Sequence, residues 1–155
     1  MAGTDDEAVA LDAERLVFGS VFAVANRLQR VLDSAMPEIT AKQWWLLVML
    51  SRFDEPPTLG ELSKAADTSH QNTRQILDKL ADKGFVTLIP DGMDRRASRI
   101  VATEKVDDWG RETEEQARAF MAQMYAGFSR DELTALASGL MSLHGALGEM
   151  TKEKQ

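Results

Sequence analysis

The stretch from Thr58 to Thr103 constrains this chain most, because it reads as two short helices followed at once by a hairpin. Thr58-Leu59-Gly60-Glu61 has the form of a capping box, in which Thr58 accepts from a first-turn amide and Glu61 reaches back. Leu59, Leu62, Ala65 and Ala66 give that helix its apolar face. Asp67 and Thr68 leave room only for a tight connection. Ser69 or Thr68 caps the next helix, expected to run to Lys83 and stop at Gly84, a residue suited to a left-handed terminator. Phe85–Ile89 then reads as a strand, Pro90-Asp91-Gly92 as a turn and Ser98–Ala102 as the returning strand.

This order is that of a winged helix-turn-helix. At 100° per residue, Thr73, Ile76, Leu77 and Leu80 of the second helix gather on one side, and Gln71, Arg74, Gln75 and Asp78 on the other. Ser69, His70 and Asn72 sit at its N-terminal end. An exposed helix face of this kind fits a DNA major groove, about 12 Å wide. Gln and Asn can pair bidentately with adenine, and Arg with guanine. Ser69, His70, Gln71, Asn72, Arg74 and Gln75 are therefore the expected reading residues of the helix. The hairpin tip offers Arg95 and Arg96, and a guanidinium on a β-ribbon suits a narrow minor groove. Asp94 is placed to orient Arg96 by charge-assisted hydrogen bonds, and Arg99 to touch the DNA backbone.

The flanks are helical. From about Ala8 to Ala35, apolar residues recur at Val17, Val21, Val24, Leu28 and Val31, with Phe18 and Phe22 beside them. Thr40 caps a helix through Leu50 that is apolar almost all round and so expected to be buried. Thr103 caps a helix reaching about Phe128, and Ser129 to Glu132 form another capping box before a last helix carrying Leu133, Leu136, Leu140, Leu143 and Leu147. The expected architecture is mainly α with a small β-hairpin wing. Residues 40–103 form the winged helix-turn-helix, and residues 8–35 and 104–150 form a helical dimerisation region. A first helix of that length spans about 42 Å and needs a partner surface, which a second chain supplies. Trp44 and Trp45 read either as core or, with Phe18, Phe22 and Trp109, as walls of a cavity for a small effector; Arg15, Asn26 and Arg30 are its candidate polar contacts.

The stretch SHQNTRQILDKLADKGFVTLIPDGMDRRASRIVAT resembles the recognition helix and wing of the multiple antibiotic resistance regulator (MarR) family. The features that carry the likeness are Leu80-x-x-Lys83-Gly84-Phe85-Val86, the Asp94-Arg95-Arg96 tip and Thr103 opening the next helix. Ala102, where the family usually has Leu, and Val106, where Gly is common, depart from the pattern at the strand-to-helix junction. The resemblance implies a homodimer on a pseudo-palindromic double-stranded DNA operator. Such regulators are commonly repressors released by a small, often aromatic or anionic, molecule.

A formal net charge of -7 argues at first against a nucleic-acid partner. From Thr58 to Lys105, however, eight cations meet seven anions for a net of +1, and the remaining residues carry -8. The acidity lies in the flanks. There is no cysteine, so disulfides and thiolate metal sites are excluded, and two histidines, His70 and His144, make a histidine-rich metal site unexpected. No cofactor is expected. The chain lacks G-x-S-x-G, Walker, G-x-G-x-x-G and H-E-x-x-H patterns, so an enzyme is not expected either. No apolar run approaches the roughly 18 residues of a membrane span, and the acidic N-terminus does not read as a secretory signal. A cytoplasmic protein follows. The competing expectation is a winged-helix module that binds protein and not DNA.

Overall fold

A computed structural model of the chain describes residues 3–92 and 98–152, with side chains placed for 12–92 and 98–151. The elements follow in the order α1 (Gly3–Ala35), α2 (Ala41–Leu50), α3 (Leu59–Ala65), α4 (His70–Asp82), β1 (Val86–Pro90), β2 (Ser98–Ala102), α5 (Glu104–Met124) and α6 (Arg130–Lys152). The mainly α fold with a two-stranded antiparallel hairpin is that of a winged helix. Two compact units divide the chain, Met1–Asp108 and Trp109–Gln155. The first helix falls in the same unit as the winged helix.

In the first unit the core lies between Ile39 and Ile100 and is built from Leu46, Leu62, Leu77, Leu80 and Phe85. Each helix start has a local chemical reason. The Asp33 carboxylate accepts from Ala41 N–H at 2.6 Å, which joins the end of α1 to the start of α2. Thr40 and Gln43 form a reciprocal capping box on α2, and Thr58 and Glu61 do the same on α3. Ser69, not Thr68, caps α4 by accepting from Asn72 N–H. The tight connection before α4 places Asp67 at φ 51°, a left-handed conformation that Asp tolerates better than most residues.

Helix α4 ends in a Schellman-type closure. Gly84 takes φ 78°, and Phe85 N–H donates to Leu80 O at 2.9 Å. Phe85 is thereby drawn out of the strand it was expected to open, and β1 begins at Val86. Its carbonyl accepts from Thr103 N–H. The Thr103 hydroxyl, expected to cap α5, instead donates back to Gly84 O at 2.6 Å and Phe85 O at 3.2 Å. It pins the end of the hairpin to the end of α4.

The hairpin register runs from Val86 opposite Ala102 to Pro90 opposite Ser98. A third extended piece joins it: Thr58 bridges to Arg99, and Ile100 N–H donates to Pro57 O at 2.9 Å. The Pro56-Pro57 pair, which reads as a bare loop end in the sequence, thus closes the edge of the wing, with Pro57 fully buried.

Helix α2 is not buried all round. Trp44 and Trp45 are 36% and 45% exposed, whereas the polar Gln43 is 3% exposed. In the second unit, α5 ends at Met124, short of the expected Phe128, and Ser129 and Glu132 complete a capping box on α6. No described residue of α5 or α6 is buried.

Candidate nucleic-acid interface

Helix α4 presents three faces. Thr73, Leu77 and Leu80 are buried and anchor it, with the Thr73 hydroxyl donating to Ser69 O at 3.0 Å. Gln71, Arg74, Gln75 and Asp78 are exposed on the opposite face, and Ser69 and His70 are exposed at the N-terminal end. The third face, Asn72 and Ile76, is half-buried and lines a cavity. Five of the six reading residues expected from the sequence are therefore exposed, and Asn72 is not. Its side-chain amide donates to Thr68 Oγ1 at 2.7 Å. On the wheel Asn72 falls beside Ile76, one turn on, and the half-buried position follows from that pairing.

Arg74 is held along the helix by Asp78, Nε to Oδ1 at 3.0 Å, with both side chains more than half exposed. Such a pair is weak in water, so the guanidinium can exchange Asp78 for another acceptor at little cost. Ser69 lends its hydroxyl oxygen to the cap and so has a structural task as well.

The base of α4 is fixed by a cation network that the sequence does not announce. Lys83 Nζ donates to Glu38 O at 2.7 Å and to Gln43 Oε1 at 3.0 Å. Lys105 Nζ donates to Lys83 O at 3.0 Å, pairs with Glu38 at 2.7 Å and stands 4.5 Å over the Phe85 ring. Two of the eight cations counted in the central stretch are thus tied up within the protein. The Thr40-x-x-Gln43 spacing was the one available sign that Gln43 is turned inward.

The wing-tip residues Asp94, Arg95 and Arg96 lie outside the described residues. Arg99 lies on β2, and its Nε donates to Asp91 Oδ2 at 2.6 Å. It is two-thirds covered, at 33% exposure, so a role in touching the DNA backbone is not what its surroundings favour. Glu61 is held below the ordinary carboxylate value of 4.5, first by the Thr58 N–H and then by the Thr58 hydroxyl.

The cavity beside α4 has a volume of about 360 Å³, within the range of small-molecule sites. Its walls are mostly apolar: Leu28 and Leu32 from α1, Trp44, Trp45 and Leu46 from α2, and Ile76 from α4. Thr68 and Asn72 supply polar groups on the α4 side, and Gln29 and Lys42 on the others. Trp45 Nε1 donates to Ala66 O at 3.4 Å. Phe18 and Phe22 do not line this cavity; they stack edge to face at 5.3 Å on an exposed part of α1. Arg15, Asn26 and Arg30 are not among its lining residues, and Trp109 belongs to the C-terminal unit. Sequence periodicity points to the correct face of α1 but not to the turn of that face that meets α2.

A helix anchored by one buried face, with an exposed amide and guanidinium face and followed by a two-stranded wing, has the form to enter a groove of duplex DNA. The model of the MarR family matches residues 38–97, from the approach to α2 through the wing. Through residues 38–97 this chain is similar to the MarR family. The transcriptional activatory protein BadR of Rhodopseudomonas palustris is 26% identical over 137 residues, covering 84% of this chain and 78% of BadR. Sco3205, a MarR family transcriptional regulator of Streptomyces coelicolor solved in complex with DNA, superposes with a TM-score of 0.78. Its identity is 19%, with 88% of each chain covered. An organohalide-sensing transcriptional regulator in its 2,4-dichlorophenol-bound form superposes with a TM-score of 0.76 at 18% identity, covering 86% of this chain and 80% of that one. The family and these relatives are transcriptional regulators, not enzymes. No helix among the described residues is long and apolar enough to cross a membrane.

Proposed function

We propose that this chain works as a homodimer that binds a pseudo-palindromic DNA operator and answers to a small aromatic or anionic effector. The observation that carries the reading is the exposed row His70, Gln71, Arg74 and Gln75 on α4, set on a buried anchor of Thr73, Leu77 and Leu80. These side chains read base edges in the major groove, while Arg95 and Arg96, with Asp94 as orienting partner, enter or flank the minor groove.

Two features support the dimer. Leu16, Phe18, Phe22 and Val24 of α1 are all more than half exposed, as are Met141, Leu147 and Met150 of α6. Burying each such side chain is worth roughly 1.5–3 kcal/mol, so these stripes favour association with a second copy. Two-fold symmetry then sets the recognition helices about 34 Å apart, one turn of DNA.

The cavity between α1, α2 and α4 supports the effector. A flat apolar molecule fits its walls, and Asn72, Thr68, Gln29 and Lys42 give hydrogen-bond or charge partners. A ligand there touches the recognition helix from behind and shifts the dimer between DNA-binding and non-binding arrangements by its differential affinity for them. The dichlorophenol-bound relative is in keeping with this. Occupation of promoter DNA makes repression the default output; BadR is named for activation, and the placement of the operator decides between them. A regulator of this kind works in the cytoplasm, where the DNA is.

The test is a titration of operator duplex with the wild type, Arg74→Ala and Arg96→Ala. Each variant is expected to lose roughly 1–3 kcal/mol of binding free energy. Wild-type affinity in both contradicts the assignment of the helix and the wing. No duplex binding by the wild type even at about 50 mM salt, where phosphate contacts are strongest, points to a protein-docking module instead.

A further inference from the structure

Arg99 is a cation beside the wing whose Nε and Nη1 donors turn inward. It lies on β2 opposite Ile89, one pair inside the last pair of the ladder, Pro90 and Ser98. The wing loop leaves β1 at Asp91 and re-enters at Ser98, so Arg99 stands at the neck of that loop. Its guanidinium reaches three segments that are distant in sequence. Nε donates to Asp91 Oδ2 at 2.6 Å, at the first residue of the loop. Nη1 donates to Pro56 O at 2.9 Å, on the third extended piece of the wing. The same Nη1 is 4.0 Å from Glu61 Oε2, at the first turn of α3.

The backbone repeats these ties. Arg99 is bridged to Thr58, and the N–H of Ile100 donates to Pro57 O. Glu61 accepts from the Thr58 N–H at 2.7 Å and from its hydroxyl at 2.9 Å, so the carboxylate facing Arg99 is itself held in place. The Asp91 side chain is only 5% exposed. A pair with one member so far out of water has well-defined geometry, and removing one partner takes a charge partner from the other.

A phosphate contact needs a guanidinium that offers its fork outward. Arg99 offers Nε and Nη1 inward and is mostly covered. We infer that Arg99 is a positioning residue of the wing: through Asp91, Pro56 and Glu61 it locks the neck of loop 91–97 against the start of α3, and it makes no DNA phosphate contact of its own. Arg95 and Arg96 lie between Asp91 and Arg99 in the sequence, so the proposed role is to hold the two chain ends from which they are presented. The inference rests on the proposed DNA-binding function.

The experiment is a double-mutant cycle read against salt. Operator affinity is measured for the wild type, Arg99→Gln, Asp91→Asn and the double variant at several salt concentrations, with thermal melting of each protein alongside. The double variant removes both charges together and leaves the net charge as it was, so it is expected to fold even where Arg99→Gln melts early. A positioning role predicts that all three variants lose about tenfold or more in affinity. The double variant loses no more than the weaker-binding single variant, and the slope of log affinity against log salt stays that of the wild type. A direct phosphate contact predicts a slope smaller by about 0.9 in Arg99→Gln and in the double variant, with Asp91→Asn binding as the wild type. That result, or wild-type affinity in the double variant, overturns the inference while leaving DNA binding intact. A wild type that binds no duplex at any salt overturns the DNA-binding function itself, and the inference with it.

Discussion

Asn72 donates its side-chain amide to Thr68 Oγ1 at 2.7 Å, and both residues form part of the wall of the cavity behind the recognition helix. One helix therefore carries an exposed face, proposed to read DNA, and a cavity face. Asn72 lies on the second, one turn before Ile76.

On the proposed function, the half-buried Asn72 is then not expected to choose bases. Asn72→Ala is expected to bind the same preferred operator sequence as the wild type, whereas Gln75→Ala relaxes preference at one or more positions by roughly 1–3 kcal/mol. Competition binding against a set of single-base operator variants checks this. A changed base preference in Asn72→Ala places its side chain in the groove after all.

On the proposed interface, Asp78 competes with DNA for the Arg74 guanidinium. Asp78→Asn removes both the competitor and a like charge from the phosphate side. Operator affinity is expected to rise several-fold at low salt, with the gain shrinking as salt is added. Unchanged affinity means that Arg74 points away from the duplex.

Glu61 and Glu132 are each lowered by the N–H and hydroxyl of their own capping residue, Thr58 and Ser129. A carboxylate lowered in the folded state adds stability that is complete above the ordinary value of 4.5 and is lost as pH falls through the lower folded value. Glu61→Gln keeps an acceptor for the Thr58 N–H but cannot titrate. Its melting temperature should therefore fall less than that of the wild type between pH 7 and pH 3. An equal fall in both proteins shows that this capping box makes no contribution to acid sensitivity.

Phe18 and Phe22 stack on each other at the exposed face of α1, and Leu147 lies on the exposed stripe of α6. Charged replacements there, such as Phe18→Glu with Leu147→Glu, should convert a dimer into a 17.2 kDa monomer and weaken operator binding by at least 100-fold, since half-site contacts no longer add. Sedimentation equilibrium measures the mass. A wild type that is already monomeric, or a variant that stays dimeric, removes these stripes from the interface.

Much of this fold is legible from short-range chemistry. The Thr58 and Ser129 capping boxes, the stop at Gly84 and the strand Ser98–Ala102 are local patterns, and local patterns survive folding. What escapes is set by distant partners. Lys83 and Lys105 look like free surface cations until Glu38 and Gln43 are brought beside them across the fold. The contacts of Arg99 with Pro56 and Glu61 come from segments about forty residues away and leave no local pattern. The tandem tryptophans belong to a helix whose polar Gln43, not its indoles, turns inward, because Gln43 satisfies both Thr40 and Lys83. Helical periodicity identifies α1 as two-faced, yet only packing against α2 shows that Leu28 and Leu32, not Phe18 and Phe22, wall the cavity.

The central claim is that two copies of α4 read one symmetric stretch of duplex DNA. Selection of bound fragments from random duplex DNA by the full chain tests it most directly. The account predicts enrichment of one pseudo-palindromic motif whose half-sites are centred about 10 base pairs apart, one helical turn. No enrichment over the starting pool, or a single asymmetric half-site, contradicts it.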